Sequence, residues 1–485
     1  MSKKLSLFLL IITVLGLLHT LLFVLFWLTN SLYYAEVNNF LFDKLGRRLD
    51  YILLTQVFSA VMLVWSSVRL VIFRLRRHAP GWSDWLFVIL ILFYFIFFYG
   101  SFWTLFNQSP AQWSRLLFLI GYYRVFVDFI YLVGLTILFK KCEAYVVHKF
   151  SGKILRFISP FSTLVIFVFL WSVPLMFPPA SVHRTPLPPK PTIIAHRGAS
   201  MLRPENTLAA ARQALALGAD GLEADIRISL DGIPFLMHDY GLERTTDVAL
   251  RFPDRKEDLP ESFTLAELKQ LNAGEWFYQE DPYHTIADGL VSEGDAQALR
   301  QERIPSLAEE LDFLKGNELI FIFDLIDPPE GHPYHDQFFE ICFNMIHQAG
   351  LDSRIWFLAK GERREMVAAS APGMVLTYGA DYRRPPEASE LAQQGYQIVN
   401  VEYGLPVERI QKYQQAGLKV NLYVVDESWM FSQLWLAGAD SMTTDNVHTM
   451  VSLKRPLLDM PYSSYFTAYS LFGIVTLAIT LLSKI

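Results

Sequence analysis

His196-Arg197-Gly198 with Pro204-Glu205-Asn206-Thr207, and Glu223-Ala224-Asp225 with Asp231-Gly232 and His238-Asp239, are the two stretches that organise this chain. Each grows out of a short apolar run: Thr192–Ala195 leads to the first histidine, and Gly221–Ile228 carries the two carboxylates. Asp231-Gly232 is a hairpin turn signal, and Ser229 to Ile233 is too short for a crossover. Pro234–Met237 is therefore expected to fold back on the strand before it. Further runs follow at Leu319–Leu325, Ile355–Ala359, Met374–Tyr378, Ile398–Glu402, Lys419–Val425 and Ser441–Thr444. Helical patterns separate most of them, which indicates βα units and a parallel sheet. With the hairpin strand set aside, eight of the nine runs remain, the number a TIM barrel needs. The stretch from Tyr240 to Arg303 has no clean period and reads as an insertion above the barrel mouth.

In such a barrel the site lies at the C-terminal ends of the strands. His196 and Arg197 end the first strand, Glu223 and Asp225 lie on the second, Asp324 lies near the end of Leu319–Leu325, and His238 ends the hairpin strand. Residues i and i+2 of a strand share a face, so Glu223 and Asp225 can hold one hard cation. With Asp324 they supply oxygen ligands and no thiolate, a donor set that favours Mg²⁺ or Ca²⁺. His196 and His238 can pass one proton in opposite directions as general acid and base. Arg197 can neutralise a phosphate. The set describes metal-assisted phosphodiester cleavage. A lone histidine at a strand end is more often structural; two of them beside an arginine and a carboxylate pair favour catalysis. Asp324 has the alternative of a structural barrel carboxylate. Glu205 and Asn206 stand where a helix is expected to begin, and their bland role is capping and dipole compensation. Trp276, Phe277 and Tyr278 would either line an apolar part of the site or pack the insertion onto the barrel rim.

From about Pro191 to Val451 the order and spacing of these residues resemble the glycerophosphodiester phosphodiesterase family. Leu271-Asn272-Ala273-Gly274-Glu275-Trp276-Phe277 and Val420-Asn421-Leu422-Tyr423-Val424-Val425 are similar to its six-span membrane branch, which carries the catalytic domain outside the cell. The resemblance implies a TIM barrel and attack on phosphorus by a substrate hydroxyl next to the phosphoester. One histidine takes that proton, the other protonates the leaving alcohol, and water opens the cyclic phosphate with the roles reversed. It implies a third carboxylate, often glutamate, at Asp324, and places Glu205 near the active centre. Two positions depart from the wider family: Ile326 stands where a lysine is frequent, and Tyr423 where many soluble members carry tryptophan.

Residues 1–178 are mostly long apolar runs. Runs of about 20 apolar residues span a bilayer as helices, and six are expected: about 5–29, 52–73, 84–106, 115–139, 157–178 and 463–483. The first is too long for a cleaved signal and reads as a retained span. Lys3 and Lys4, Arg74, Arg76 and Arg77, Lys140, Lys141, Lys149, Lys153 and Arg156, and Lys484 all fall on one side. That puts both termini in the cytoplasm and residues 179–462 outside, consistent with a multi-pass protein of the plasma membrane. Residues 179–191 form a Pro-rich linker, and 192–455 the barrel with its insertion, 240–303. The linker and the short return from Arg455 to Tyr462 are expected to hold the strand C-terminal face close to the outer leaflet. Arg124 and Asp128, i and i+4 in the fourth span, are placed to pair.

A net charge of −6 argues against a nucleic-acid partner. Two cysteines, Cys142 and Cys342, fall in different parts of the chain and imply neither a disulfide framework nor a thiolate metal site. Asn107-Gln108-Ser109 is a glycosylation sequon by pattern, set against the membrane and expected to be unused. Membrane lipids and a glycerophosphodiester, of the glycerophosphocholine or glycerophosphoinositol type, are the expected partners. The resemblance adds cleavage of glycosylphosphatidylinositol anchors, and lysophospholipase D activity belongs to the same class. A catalytically weak receptor or adhesion ectodomain is the reading from another class, and the intact set of site residues argues against it. A transporter is disfavoured because no Gly/Pro-broken repeat pair appears in the spans. The sequence carries no signal of oligomeric state.

Overall fold

In the computed structural model the described residues are scattered positions between 13 and 50, then 51–76, 89–96, 110–149, 153–184 and 186–482. The chain divides into two compact units, Met1–Gly121 and Tyr122–Ile485. In the first, the helix Tyr51–Arg76 buries Met62 against Ile91, with Trp65, Tyr94 and Phe95 packed around them. His19 Nε2 lies 2.9 Å from the Tyr94 hydroxyl.

Among the described residues, Tyr51–Arg69 and Leu117–Gly134 are long and apolar enough to cross a bilayer. Helices Lys153–Met176 and Tyr462–Leu482 occupy two more of the expected spans. The expected spans at 5–29 and 84–106 fall largely outside the described residues, as does Asn107-Gln108-Ser109. One difference concerns the segment after the fourth span. The helix Pro110–Lys149 runs unbroken for 40 residues through Lys140 and Lys141, so the basic stretch is helical up to Lys149. Leucine, lysine and alanine are good helix formers, and no proline or glycine stops the chain there. Arg124 and Asp128 pair as their spacing requires, Nε to Oδ2 at 3.3 Å, and the same guanidinium donates to the carbonyl of Phe177.

Among the described residues eleven strands follow in chain order: β1 (Val182–His183), β2 (Thr192–His196), β3 (Gly221–Ile228), β4 (Pro234–Leu236), β5 (Ile320–Leu325), β6 (Ile355–Leu358), β7 (Val375–Ala380), β8 (Ile398–Glu402), β9 (Lys419–Tyr423), β10 (Ser441–Thr444) and β11 (Met460–Pro461). Eight pair in parallel in the order β2-β10-β9-β8-β7-β6-β5-β3, and β2 closes on β3. This is the expected barrel. β4 runs antiparallel to β3, with Ile226 opposite Leu236 and Ile228 opposite Pro234. Gly232, at φ +80°, makes the turn between them. Every residue of β3 is buried, as a barrel strand covered on both faces requires.

The insertion is ordered by packing rather than by period. Its helices Val248–Arg251, Leu265–Leu268, Glu275–Glu280 and Glu293–Leu299 are four to seven residues long, too short to display a 3.6-residue repeat. Phe263, Leu268 and Leu271 bury against Phe235 and Met237 of the hairpin.

β1 and β11, within the expected linker and return, pair in parallel: Val182 faces Met460 and His183 faces Pro461. Both tethers reach the barrel at the end where the strands begin, because one runs into the first residue of β2 and the other leaves after the helix that follows β10, Val447–Ser452. The C-terminal face is therefore at the end remote from the tethers. The lengths of the tethers alone suggest a face close to the outer leaflet; the strand ends they join place that face at the far end of the barrel from them.

Candidate active site

β2 delivers His196 and then breaks sharply. Arg197 and Gly198 both take the left-handed conformation, at φ +54° and +83°. Glycine is required at the second position, because a Cβ there would lie 2.6 Å from that of Ala210. A non-glycine residue in this region costs roughly 1–2 kcal/mol, which the surrounding bonds offset. The Arg197 N–H donates to Glu223 Oε2 at 3.1 Å, and its Nη1 donates to Glu205 Oε1 at 3.0 Å. Its Nε lies 3.1 Å from Asp225 Oδ2 but out of line for a hydrogen bond, and among the described residues it finds no other acceptor.

Asn206 does not cap a helix. The helix is Leu208–Leu217 and its cap is Thr207, whose Oγ1 accepts from the Ala210 N–H at 3.2 Å. Asn206 sits before it at φ +53°, donates from Nδ2 to Asp225 Oδ2 at 2.8 Å, and accepts the Asp225 N–H at 3.3 Å. Glu205 accepts from Arg197 and from both terminal nitrogens of Arg244, at 2.7 and 2.8 Å. Burial opposes its charge, but Arg244 and Arg197 hold its carboxyl below the usual range.

Register brings the carboxylates together. Asp225 on β3 is directly opposite Asp324 on β5, and Glu223 is opposite His196 on β2. One oxygen from each of Glu223, Asp225 and Asp324 lies within 4.8 Å of the others. Burial and then the charge of Asp225 push the Glu223 carboxyl up to about 8, and the same two causes raise Asp324. Three convergent carboxyls, all oxygen donors and two of them pushed up, fit a hard divalent cation, whose charge would relieve the repulsion among them.

The metal-free protein should accordingly lose stability as pH rises. Glu223 has a raised folded value, so its contribution is complete below about 4.5 and is lost on the way up to about 8, and Asp324, also raised, works in the same sense. Asp426, raised to about 7 by burial and by Asp445, acts in the same direction. The expected outcome is a melting temperature that falls across this window without divalent ions and falls much less with them.

His196 Nδ1 lies 2.7 Å from Asp445 Oδ1, which also accepts from Ser200 Oγ at 2.6 Å. Its Nε2 faces the cavity, 3.8 Å from Glu223 Oε2. Burial disfavours the imidazolium, but Asp445 and then Glu223 outweigh it and push His196 up to about 9. His238 lies two residues beyond β4, with Nδ1 2.7 Å from Asp239 Oδ1. Burial opposes charge on Asp239 too, but hydrogen bonds from His238 and Arg244 hold it well below the carboxylate range.

The position of His238 depends on a buried cation. Arg227, fully buried on β3, donates from Nη2 to the His238 carbonyl at 2.8 Å and from Nε to that of Met237 at 3.2 Å. Its Nη1 pairs with buried Glu261 of the insertion. Removing one partner of such a pair strands the other charge. Arg227→Ala should lower stability by about 3–5 kcal/mol, read as a lower midpoint in chemical denaturation.

His196, Arg197, Glu223, Asp225, His238, Asp324 and Tyr423 line one cavity of about 350 Å³ at the barrel mouth. Burial raises the Tyr423 phenol. Trp276 lies elsewhere: it is 9% exposed and packed with Phe277 and Leu299, its indole N–H donating to the Ala273 carbonyl at 3.0 Å. It meets the site through Arg244, whose guanidinium stacks 5.6 Å from the ring centre. Asp445, Ser200, Arg244 and Arg227 were missed in the sequence. Asp445 directly follows the run Ser441–Thr444, so its place at a strand end was a usable signal.

Residues 196–449 match the model of the glycerophosphoryl diester phosphodiesterase family, more than half of the chain. The chain belongs to that family. It is 32% identical to the mouse glycerophosphoinositol inositolphosphodiesterase GDPD2 over 90% of its own length and 80% of the relative's. It is 38% identical to the human glycerophosphodiester phosphodiesterase domain-containing protein 5 over 59% of its own length, and there it spans 46% of the relative. Against solved structures, it covers 96% of an Oleispira antarctica phosphodiesterase in complex with sn-glycerol-3-phosphate. That match takes in 54% of this chain, with 25% identity and a TM-score of 0.43.

Proposed function

We propose that this family member is a membrane-tethered, divalent-cation-dependent hydrolase of glycerophosphodiesters, with its barrel outside the cell. The observation that carries the reading is the single cavity shared by two carboxylate-backed histidines, Arg197 and three convergent carboxyls. Glu223, Asp225 and Asp324 would hold the cation, which when bound stabilises negative charge on the phosphoryl oxygens. Arg197 supports the same charge: its unpartnered Nε can donate to a phosphoryl oxygen. Asp445 fixes the His196 ring with Nε2 toward the cavity, and the raised value of His196 makes it the proton donor to the leaving alcohol. His238, held by Asp239 and by Arg227 through its backbone, takes the proton of the neighbouring substrate hydroxyl. The roles reverse when water opens the cyclic product. The relative named a glycerophosphoinositol inositolphosphodiesterase, matched along most of its length, favours glycerophosphoinositol among the candidate substrates.

The membrane reading rests on charge and hydropathy: six spans, both termini cytoplasmic, and an odd number of spans before the barrel. An impermeant label added to intact cells should reach 240–303 and not 140–155; the opposite pattern would overturn the topology. For the chemistry, the purified full chain should be offered glycerophosphocholine, glycerophosphoethanolamine and glycerophosphoinositol with the products resolved. Turnover of at least one, with release of a phosphomonoester, is expected; none turned over in the presence of Mg²⁺ or Ca²⁺ would refute the assignment.

A further inference from the structure

Arg244 holds two carboxylates at once. Its Nη1 and Nη2 donate to the two oxygens of Glu205 at 2.8 and 2.7 Å, and its Nε and Nη2 donate to the two oxygens of Asp239, the second at 3.0 Å. Those bonds occupy four of the five donors of a guanidinium. Among the described residues no other side chain bonds both carboxylates. Each carboxylate then leads into the site: Asp239 to Nδ1 of His238 at 2.7 Å, and Glu205 to Nη1 of Arg197 at 3.0 Å. Arg244 itself does not line the cavity that His238 and Arg197 share. It therefore acts on the reacting atoms only through those two residues.

Its own place is fixed by the chain around it. Leu242 and Val248 of its loop are fully buried, and the Thr246 hydroxyl donates to the Leu242 carbonyl at 2.6 Å. The Trp276 ring lies beside the guanidinium, 5.6 Å from centre to carbon, and its indole N–H is tied to the Ala273 carbonyl at 3.0 Å. One oxygen of Glu205, one of Asp239 and a ring nitrogen of His238 lie within 4.8 Å of one another. Carboxylates this close repel unless a cation stands between them. By distance the three could hold a metal ion, but all four carboxylate oxygens already accept from the guanidinium. A planar fork can meet two carboxylates bidentately; the point charge of a lysine cannot.

Resting on the phosphodiesterase reading above, we propose that Arg244 is a positioning residue that locks His238 and Arg197 into one geometry, so that the substrate hydroxyl loses its proton where the phosphoryl group is held. The two residues need such a brace. Arg197 follows β2 and His238 follows β4, and β4 pairs with β3 and not with β2. Without Arg244 each can move separately, and a misplacement of about 1 Å in a site of this kind costs roughly 10² in rate.

The test uses the purified full chain with a divalent cation. The substrates are glycerophosphocholine and the glycerol phosphodiester of p-nitrophenol, whose leaving group departs without a proton. Arg244→Ala should lower kcat by roughly 10²; an unchanged rate would overturn the proposal. Guanidinium ion, far below denaturing concentrations, should restore activity to this variant and saturate, whereas urea should not; equal rescue by urea would overturn the role of the cation. Arg244→Lys keeps the charge without the fork and should stay impaired; parent rates in it would overturn the two-armed brace. On the p-nitrophenyl ester, His196→Ala should recover and Arg244→Ala should not; equal recovery of both would break the link to His238. Proton NMR reads the brace without turnover. The His238 Nδ1–H held by Asp239 should give a downfield resonance, assigned by its loss in His238→Gln, that broadens in Arg244→Ala and returns with guanidinium. A resonance unchanged in Arg244→Ala would overturn the proposal whatever the rates. If the parent turns over neither substrate while the resonance still depends on Arg244, the brace stands and the phosphodiesterase reading fails.

Discussion

Glu223→Gln is expected to lose turnover without losing the fold. The side chain contributes one of three carboxyls gathered within 4.8 Å and accepts the Arg197 N–H at 3.1 Å. Glutamine keeps the size and can still accept that N–H, so the Arg197 turn should persist. What disappears is the charge that completes the cation site. Charge stabilisation of this kind is worth several kcal/mol, and each 1.36 kcal/mol is tenfold in rate, so the loss should be roughly 10² or more. The variant should also melt at the same or a higher temperature than the parent at pH 8 in chelator, because burial and Asp225 make the parent's charge costly there. Chelation of the parent should match the variant's rate. Full turnover in chelator would remove the cation from the account.

His196→Ala and His238→Ala should each lower the rate by roughly 10² to 10⁴, the usual contribution of a positioned proton donor or acceptor. Each has its ring held by a carboxylate at 2.7 Å, Asp445 for one and Asp239 for the other. If both act in one rate-limiting step, the pH–rate profile is bell-shaped. Wild-type rates in either alanine variant would take that histidine out of the reaction.

The barrel was legible because its strands are short apolar runs with sharp ends; Gly221–Ile228, Ile398–Glu402 and Ser441–Thr444 appear with the bounds their composition suggests. The hairpin was legible because Asp231-Gly232 leaves no room for a crossover. The six residues set at strand ends line one cavity because barrel closure brings all strand ends together. Asp445 stands at a strand end like the other site residues, but its partner, His196, is 249 residues away, so only the folded barrel shows what it holds. Arg244 and Glu261 lay in an aperiodic stretch whose helices are shorter than the window that would reveal them. The β1–β11 pairing joins two segments with no strand pattern, each two residues long.

The most direct measurement is ³¹P NMR of glycerophosphoinositol and glycerophosphocholine incubated with the purified full chain and a divalent cation. The account predicts that a phosphodiester resonance gives way to a phosphomonoester, that chelator stops the change, and that His196→Ala slows it by roughly 10² to 10⁴. A phosphodiester signal that persists with folded, cation-loaded protein, or that decays equally fast in His196→Ala, would contradict it.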